Sequence, residues 1–560
     1  MIGWQKGDVL MKTIQLAIQG MTCDACARHV RDALSAVPGV AHVEVPGWES
    51  QQAIVQADEG VSPERLATAV EQAGYRAEVA AVASPAVASD EPDTTYDLLV
   101  IGGGSAGFAA AIKAAEAGAR VALIERGLIG GTCVNVGCVP SKTLIRMVEA
   151  WHAADAARRF DGVQLAQGHL AWHRLIQQKD ALVAELRQAK YVDVLAAYPT
   201  ITLIRGRARF VDETTLAVDE RLYRAEHVII ATGAHPWAPP IPGLAEAGYW
   251  TSTDALATKE QPRSLIVIGG SAVGLELAQV YARAGTFVTV LEALPRIVPQ
   301  EEPEIGEALE TYLEAEGMRI EAGVRVRGVE RRAPQRVAVT FEREGEAETI
   351  EAEHVLVATG RRANTAGLGL EAAHVELDER GHIRIDEYAQ TSNPRVYAAG
   401  DCATLPMFVY VAAHSGSVAA ENALHGNRRT LDLDALPKVT FTDPQVASAG
   451  LTESQAREAG FAVKTSVLPL THVPRALAAH DTRGLIKLVA DAESDRLLGA
   501  HLLAPEGGEI IQIAVLAIRA GMTTRDVAET IFPYLTLAEG LKLAAQSFEK
   551  DVATLSCCAG

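Results

Sequence analysis

Two glycine loops constrain this chain more than any other feature. The first is Gly102-Gly-Gly104-Ser-Ala-Gly107, preceded by the buried-strand run Asp97-Leu-Leu-Val-Ile101 and followed by an Ala-rich stretch with helical spacing. The second is Gly269-Gly-Ser271-Ala-Val-Gly274, preceded by 265–268 and followed by a helical pattern to residue 284. Strand, glycine loop and helix in that order form a βαβ unit that receives a dinucleotide. The first glycine makes the tight turn and the second lets the backbone approach a pyrophosphate. The third packs helix on strand, and the pyrophosphate sits on the helix N-terminus. A second strand should follow each helix, at 120–124 and 286–291, and each is followed by an acid, Glu125 and Glu292. A carboxylate there accepts ribose hydroxyls. In the second loop Ser271 stands where the middle glycine would be, and a small residue still fits. Two such units predict two dinucleotide sites, the second for a nicotinamide cofactor. Glu292 would favour NADH over NADPH by repelling a 2′-phosphate, and Arg296, four residues on, could offset it.

The chain is long enough, at 560 residues, to add further domains. Residues 11–80 read as β-α-β-β-α-β, the ferredoxin-like plan. Residues 81–95, rich in Ala, Ser, Pro and acid, read as a flexible linker. From residue 436 strands and helices mix without a glycine fingerprint. The expected fold class is therefore α/β and α+β: a ferredoxin-like domain (11–80), then two Rossmann-like dinucleotide-binding domains and an α+β domain, of which a family resemblance carried by the cysteine motifs implies that the first is metal-binding and the last a dimerisation domain. The same resemblance implies an FAD-binding part in two pieces, 96–260 and 361–435, around an NAD(P)H-binding part at 261–360. Residues 436–560 form the last domain. A net charge of −20 argues against nucleic acid as a partner. No uncharged apolar stretch reaches membrane-spanning length, and the first residues lack a signal-peptide core. These features predict a cytoplasmic protein that is not inserted in a membrane.

Six of the seven cysteines fall into close pairs: Cys23 with Cys26, Cys133 with Cys138, and Cys557 with Cys558. Cys402 is left over. Under reducing conditions close pairs serve metal binding or redox chemistry more often than structural crosslinks. Cys133 and Cys138, in Gly131-Thr-Cys-Val-Asn-Val-Gly-Cys-Val-Pro-Ser-Lys142, are expected to begin a helix, whose positive end favours thiolate. No other pair stands at zinc-finger spacing from them. Cys23 and Cys26, in Gly20-Met-Thr-Cys-Asp-Ala-Cys26, can reach one soft cation from a loop and the helix that follows it. A spare redox pair is the alternative. Cys557 and Cys558 lie on a terminal arm that could capture such an ion, unless that end is incidental.

Through these motifs residues 96–560 resemble the pyridine nucleotide-disulfide oxidoreductases, and the N-terminal unit resembles the heavy-metal-associated domain. The resemblance implies FAD, NAD(P)H and a redox-active disulfide. Cys138 would be the flavin-side thiol and Cys133 the exchanging thiol. Lys142 would lie near the flavin ring, paired with Glu276. Asp401, in the second FAD motif Thr391-Ser-Asn-Pro-Arg-Val-Tyr-Ala-Ala-Gly-Asp401, would meet the ribityl chain. Gly127, Thr132, Ala208 and Val409 align with further flavin contacts. The chain departs from the disulfide-reducing members near its end. They carry His-Pro before Thr-x-x-Glu, whereas here Phe532-Pro-Tyr534-Leu-Thr-Leu-Ala-Glu539 places Tyr534 at the His position. A phenol with a pKa of about 10 is a poor proton shuttle near neutrality. Tyr410 offers a second phenol, and both tyrosines could instead be core aromatics. Three thiol pairs together with Tyr534 resemble the members of the family that take Hg(II) as substrate. The expected enzyme is then a homodimer that receives Hg(II)-thiol complexes and reduces them with NADPH, or with NADH, in mercury detoxification. The alternatives are a disulfide reductase of the lipoamide or glutathione type and a soft-metal-binding protein without turnover.

Overall fold

The computed structural model describes residues 11–21, 24–45, 52–58, 61–83, 96–163 and 168–551. Two compact units emerge, an N-terminal one within Met1–Asp93 and a large one that takes nearly all of the chain from Thr94 on.

The N-terminal unit follows the expected order. Strand Met11–Gln19 is followed by helix Asp24–Ser35, strands Val40–Glu44 and Gln52–Asp58, helix Pro63–Gln72 and strand Arg76–Ala83. The second, third, first and fourth strands lie side by side in one antiparallel sheet. Ile14, Leu16 and Ile18 alternate inward along the first strand, where they join Val30 and Leu34 of the first helix and Leu66 and Val70 of the second. Period 2 on the strand meets period 3.6 on the helices, which builds a two-layer core.

The large unit is organised by two parallel sheets. In the first, Leu98–Ile101 is central, flanked by Val121–Glu125 and His227–Ile230. Ile201–Arg205 and Val396–Ala398 form the edges. Leu98 and Val100 point into one core and Leu99 and Ile101 into another. A strand covered on both faces reads as an unbroken apolar run, as 98–101 does. The edge strand Val396–Ala398 arrives from the far side of the second glycine unit. One sheet is thus built from two separated pieces of sequence.

The second sheet orders Arg319–Glu321, Phe287–Leu291, Ser264–Ile268 and His354–Val357, all parallel. An antiparallel meander, Arg325–Ala333, Arg336–Arg343 and Glu346–Ala352, follows its edge. The C-terminal part is a five-stranded antiparallel sheet packed on helix Gly507–Arg519. Among the described residues no helix is long and apolar enough to cross a membrane.

Candidate functional site

Each glycine loop is shaped by close approach. Gly102 adopts φ +108°, and a Cβ there would lie 2.3 Å from the Ala231 carbonyl oxygen. Gly107 lies so close to Gly102 that a Cβ would sit 1.8 Å from its carbonyl oxygen. Gly104 precedes helix Ser105–Glu116 and brings no side-chain cap to it. The first N–H groups of the helix are therefore left for an anion. Glu125 closes the cradle: its two carboxylate oxygens accept the N–H groups of Gly103 at 2.7 Å and Gly127 at 2.6 Å. A cavity of about 340 Å³ opens beside it, lined by Gly102, Glu125, Ala208 and Thr232 among others. Donors for a pyrophosphate, a carboxylate for a ribose and an apolar wall are what an adenine dinucleotide requires, so these residues fit FAD.

The second loop repeats this plan. Gly269 has φ +114°, and a Cβ on Gly274 would come within 2.0 Å of the Gly269 carbonyl oxygen. Glu292, buried, accepts Gly270 N–H at 2.6 Å and Leu294 N–H at 2.8 Å. Ser271 caps helix Ala272–Arg283 by position alone, its hydroxyl making no cap bond. The adjoining cavity, about 610 Å³, is lined by Gly269, Ser271 and Glu292 and extends to Arg361 and Met407. These groups suit a nicotinamide dinucleotide. Arg296, expected to offset Glu292, lies elsewhere. Its guanidinium donates to the carbonyls of Pro299 and Glu301, both at 3.3 Å.

The thiol pair lies against the first loop. A Cβ on Gly131, at φ +60°, would fall 2.6 Å from Gly104 Cα. The backbone also joins the two segments, Gly130 N–H to Gly103 O at 2.8 Å. The expectation that both cysteines begin one helix needs correction. Cys133 belongs to a short helix, Gly131–Val136, and Cys138 opens a separate one, Cys138–Ala156. Gly137 breaks the run at φ −131°, ψ −112°, and a Cβ there would press on Thr132 O at 2.9 Å and Cys133 Cα at 3.3 Å. This fold-back lets the Cys133 thiol donate to Cys138.

That bond divides the pair into a proton holder and a thiolate. The Cys138 thiol is drawn down to about 7, first by the bond from Cys133 and then by the Lys142 ammonium, against the opposing effect of burial. Cys133 is pushed far up, by the bond to Cys138, by burial and by the neighbouring thiolate. Cys138 also stands at the positive end of a 19-residue helix. Lys142, one turn on, pairs with the buried carboxylate of Glu276 at 2.6 Å and lies over the Phe441 ring at 4.6 Å. The other oxygen of Glu276 accepts Phe441 N–H at 2.9 Å. Lys142 and Glu276, distant in sequence, thus meet as expected.

Two residues that sequence reasoning passed over lie here. Half-buried Arg361 donates to Thr132 Oγ1 at 3.4 Å and to the Ala234 carbonyl. Burial pushes its pKa down, and the charges of Asp401 and Cys138 oppose that effect. Burial raises the Asp401 carboxyl in turn, with Arg361 opposing. Tyr191, in the π-helical segment Gln188–Val192, bonds with Ser105 of the glycine loop. Burial raises its phenol first, and the charges of Cys133 and Cys138 raise it further. A π-turn inside helical structure often marks a functional position, but its pattern was not evident in the sequence.

Val409 opens helix Val409–His425, and Tyr410 follows it, its ring stacked on Phe408 at 5.3 Å. The Tyr410 phenol is pushed up to about 12, by burial and then by the Cys138 charge, and it donates to the Pro437 carbonyl. Tyr534 is exposed, in a turn where buried Glu539 accepts Leu535 N–H at 3.3 Å. Cys402 is fully buried, its thiol donating to the Ile230 and Ala399 carbonyls at 3.4 Å. Cys26 is in the first turn of helix Asp24–Ser35, half-buried. Cys23, Cys557 and Cys558 lie outside the described residues.

Comparison with known proteins agrees with this arrangement. Residues 96–416 match the model of the pyridine nucleotide-disulphide oxidoreductases, 436–545 that of their dimerisation domain, and 15–76 that of the heavy-metal-associated domain. A protein of Lysinibacillus sphaericus named mercuric reductase is 44% identical over 98% of this chain and 100% of its own length. One of Streptomyces lividans with the same name is 48% identical over 83% of this chain and 99% of its own. The solved structure of the HOCl-induced flavoprotein disulfide reductase RclA from Escherichia coli is 32% identical, with a TM-score of 0.72 over 81% of this chain and 100% of that one.

Proposed function

We infer that this chain works as its family does, for it belongs to the pyridine nucleotide-disulphide oxidoreductases and, within them, to the mercuric reductases. It is an enzyme that reduces Hg(II) to Hg(0) with NAD(P)H, FAD and a redox-active dithiol. The observation that carries the mechanism is the polarised pair Cys133–Cys138, set against the first glycine loop. When bound, FAD passes to this centre the two electrons that NAD(P)H supplies.

The roles of the chain's own residues are our proposal. Gly102, Gly104, Gly107, Glu125, Gly127, Thr132, Ala208, Asp401 and Val409 hold FAD. Gly269, Ser271, Gly274 and Glu292 hold the nicotinamide cofactor, NADPH in preference. Cys138 supplies a thiolate near neutrality because Cys133 donates to it and Lys142 faces it. Glu276 holds Lys142 in place. As Hg(II) binds, Cys133 gives up its proton and the two sulfurs ligate the ion. Soft thiolates select a soft cation. Among the described residues no three His, Cys, Asp or Glu side chains gather into a metal-holding group. Held by this pair alone, Hg(II) would stay two-coordinate and easier to reduce, since further thiolate ligands make it harder to reduce. Burial and the charge of Cys138 raise the phenols of Tyr191 and Tyr410, so both keep their protons near pH 7 and shape the site without competing as anions.

The same proposal extends to the supply of mercury. Cys23 and Cys26 collect it from Hg(II)-thiol complexes, and Cys557 and Cys558 hand it to the partner subunit's dithiol by ligand exchange. Residues 11–80 form the collecting domain and 81–95 the linker. Residues 96–260 and 361–435 form the FAD domain around the nicotinamide domain, 261–360, and 436–560 the dimer-forming domain. Exposed apolar groups support a homodimer: Ile531 is 94% exposed and Leu516 62%. A cytoplasmic setting suits detoxification, since three thiol pairs stay reduced there. Anaerobic turnover of HgCl₂ with excess thiol, read as nicotinamide oxidation together with mercury vapour, tests the function. Nicotinamide oxidation without vapour would contradict it.

A further inference from the structure

The cavity beside the second glycine loop carries a charge that the glycine motif does not encode. Its turn 292–294 is stitched to the segment that follows the edge strand of the sheet. Glu292 N–H donates to Glu321 O at 2.9 Å, Gly323 N–H to Leu294 O at 2.8 Å and Val324 N–H to Glu292 O at 3.0 Å. The next residue, Arg325, is exposed and lines the same cavity as Glu292 and Ala293. The charged residues lining this cavity are Glu292, Arg325 and Arg361. Arg361 belongs to the end near the dithiol, where it meets Thr132. Arg325 is therefore the cation at the end where a ribose would meet Glu292.

Its guanidinium is also uncommitted. Glu342, its cross-strand neighbour, is paired with Arg327 at 2.5 Å. The Arg325 side chain makes no hydrogen bond or ion pair among the described residues. The carboxylate of Glu292, by contrast, is tied by two backbone N–H groups, which hold it in place and offset part of its charge. A ribose seated on Glu292 would direct its 2′ substituent toward the side of the cavity that Arg325 occupies. An arginine fork suits a phosphate there, and water suffices for a hydroxyl.

We propose that Arg325 recognises the 2′-phosphate of NADPH and sets this enzyme's preference between the two nicotinamide cofactors. The proposal rests on the reading of this cavity as the nicotinamide site. It removes the conflict between that preference and an acid at position 292: Glu292 holds the ribose, and Arg325 reads what the ribose carries.

Calorimetric binding to the FAD-loaded full chain tests the proposal, with 2′,5′-ADP and 5′-AMP as probes. Arg325→Gln should weaken 2′,5′-ADP by about 10- to 100-fold, the loss expected for a charge-assisted bond. The same variant should leave 5′-AMP within about twofold, because only the phosphate contact is lost. Arg325→Lys should recover most of the affinity for 2′,5′-ADP, and added salt should weaken that probe more than 5′-AMP. Unchanged 2′,5′-ADP binding in Arg325→Gln, or an equal loss for both probes, would overturn the proposal. Gly274→Val separates it from the reading beneath it. If that variant keeps FAD but loses both probes, the cavity is the nicotinamide site, and the Arg325 result stands on its own. If Gly274→Val leaves both probes bound, the reading of the cavity fails and takes the proposal with it.

Discussion

The two glycine loops are near copies in backbone and differ in what lies against them. In both, the third glycine presses on the carbonyl of the first, and an acid accepts the N–H of the second loop residue, Gly103 or Gly270, at 2.7 and 2.6 Å. The middle position separates them. Here the first loop is fastened to the dithiol segment: Gly131 approaches so closely that a Cβ on it would fall 2.6 Å from Gly104 Cα, and Gly130 N–H donates to Gly103 O at 2.8 Å. Ser271 lines the open cavity of the second loop, where its side chain has room. The difference teaches that the close approach of two backbones requires glycine, at Gly131, whereas a loop that borders an open cavity accepts a small side chain, at Ser271. On the proposed assignment, the first loop keeps its dinucleotide beside the thiols and the second exchanges one.

The largest test breaks each loop at its third glycine. Gly107→Val should cost about 3 kcal/mol or more, because its side chain collides with Gly102 and the helix must shift. Loss of FAD from the purified protein and a lower melting temperature would report it. Gly274→Val should leave the protein yellow with FAD and remove nicotinamide binding. Equal loss of FAD in both variants would show that the two loops do not act separately.

A second test sharpens what the first loop is fastened to. Lys142→Gln removes the cation that helps to lower Cys138, so the pH at which that thiol ionises should rise from about 7. A shift of roughly one unit is expected, corresponding to about 1.4 kcal/mol. The thiolate form gains population as pH rises through the midpoint, so Hg(II) reduction should fall most below neutrality. A pH profile of turnover checks this, and an unchanged profile would remove Lys142 from the account.

The paired acids give a smaller effect. Glu292→Gln should raise affinity for NADP⁺ relative to NAD⁺ by only about two- to fivefold, since the backbone N–H groups already offset much of the charge. Equilibrium binding of both would show it, and a change of 100-fold would mean that Glu292 meets the phosphate directly. The smallest effect is expected from removing residues 1–95. That unit has its own core, so turnover of small mercury-thiol complexes should stay within about twofold, its value appearing as raised local supply when thiols are bulky or scarce. Loss of FAD from the truncated enzyme would contradict the separation of the units.

Much of this site is legible in the sequence because local chemistry dictates it. An apolar run, a glycine loop and a closing acid are contiguous, and each is forced by sterics that no distant residue alters. Lys142 and Glu276 follow from family resemblance rather than from spacing, since 134 residues separate them. Arg361, Tyr191 and Arg325 leave no such trace. Arg361 reaches Thr132 across 229 positions, and Arg325 enters its cavity through backbone bonds to residues 292 and 294 that composition does not reveal. The break at Gly137 was hidden for a different reason. Its glycine resembles any helix-weakening residue until the approach of Cys133 shows what it makes room for.

The central claim is that Cys138 carries the charge and Cys133 the proton, beside bound FAD. Anaerobic reduction of the holoenzyme by two electrons, followed by a pH titration of the long-wavelength absorbance between thiolate and flavin, tests it most directly. The account predicts a band that titrates near pH 7 in the natural enzyme. In Cys133→Ala the band should persist with a higher midpoint, because the donated hydrogen bond is gone, and in Cys138→Ala it should vanish. A band that survives Cys138→Ala and is lost in Cys133→Ala would contradict the account.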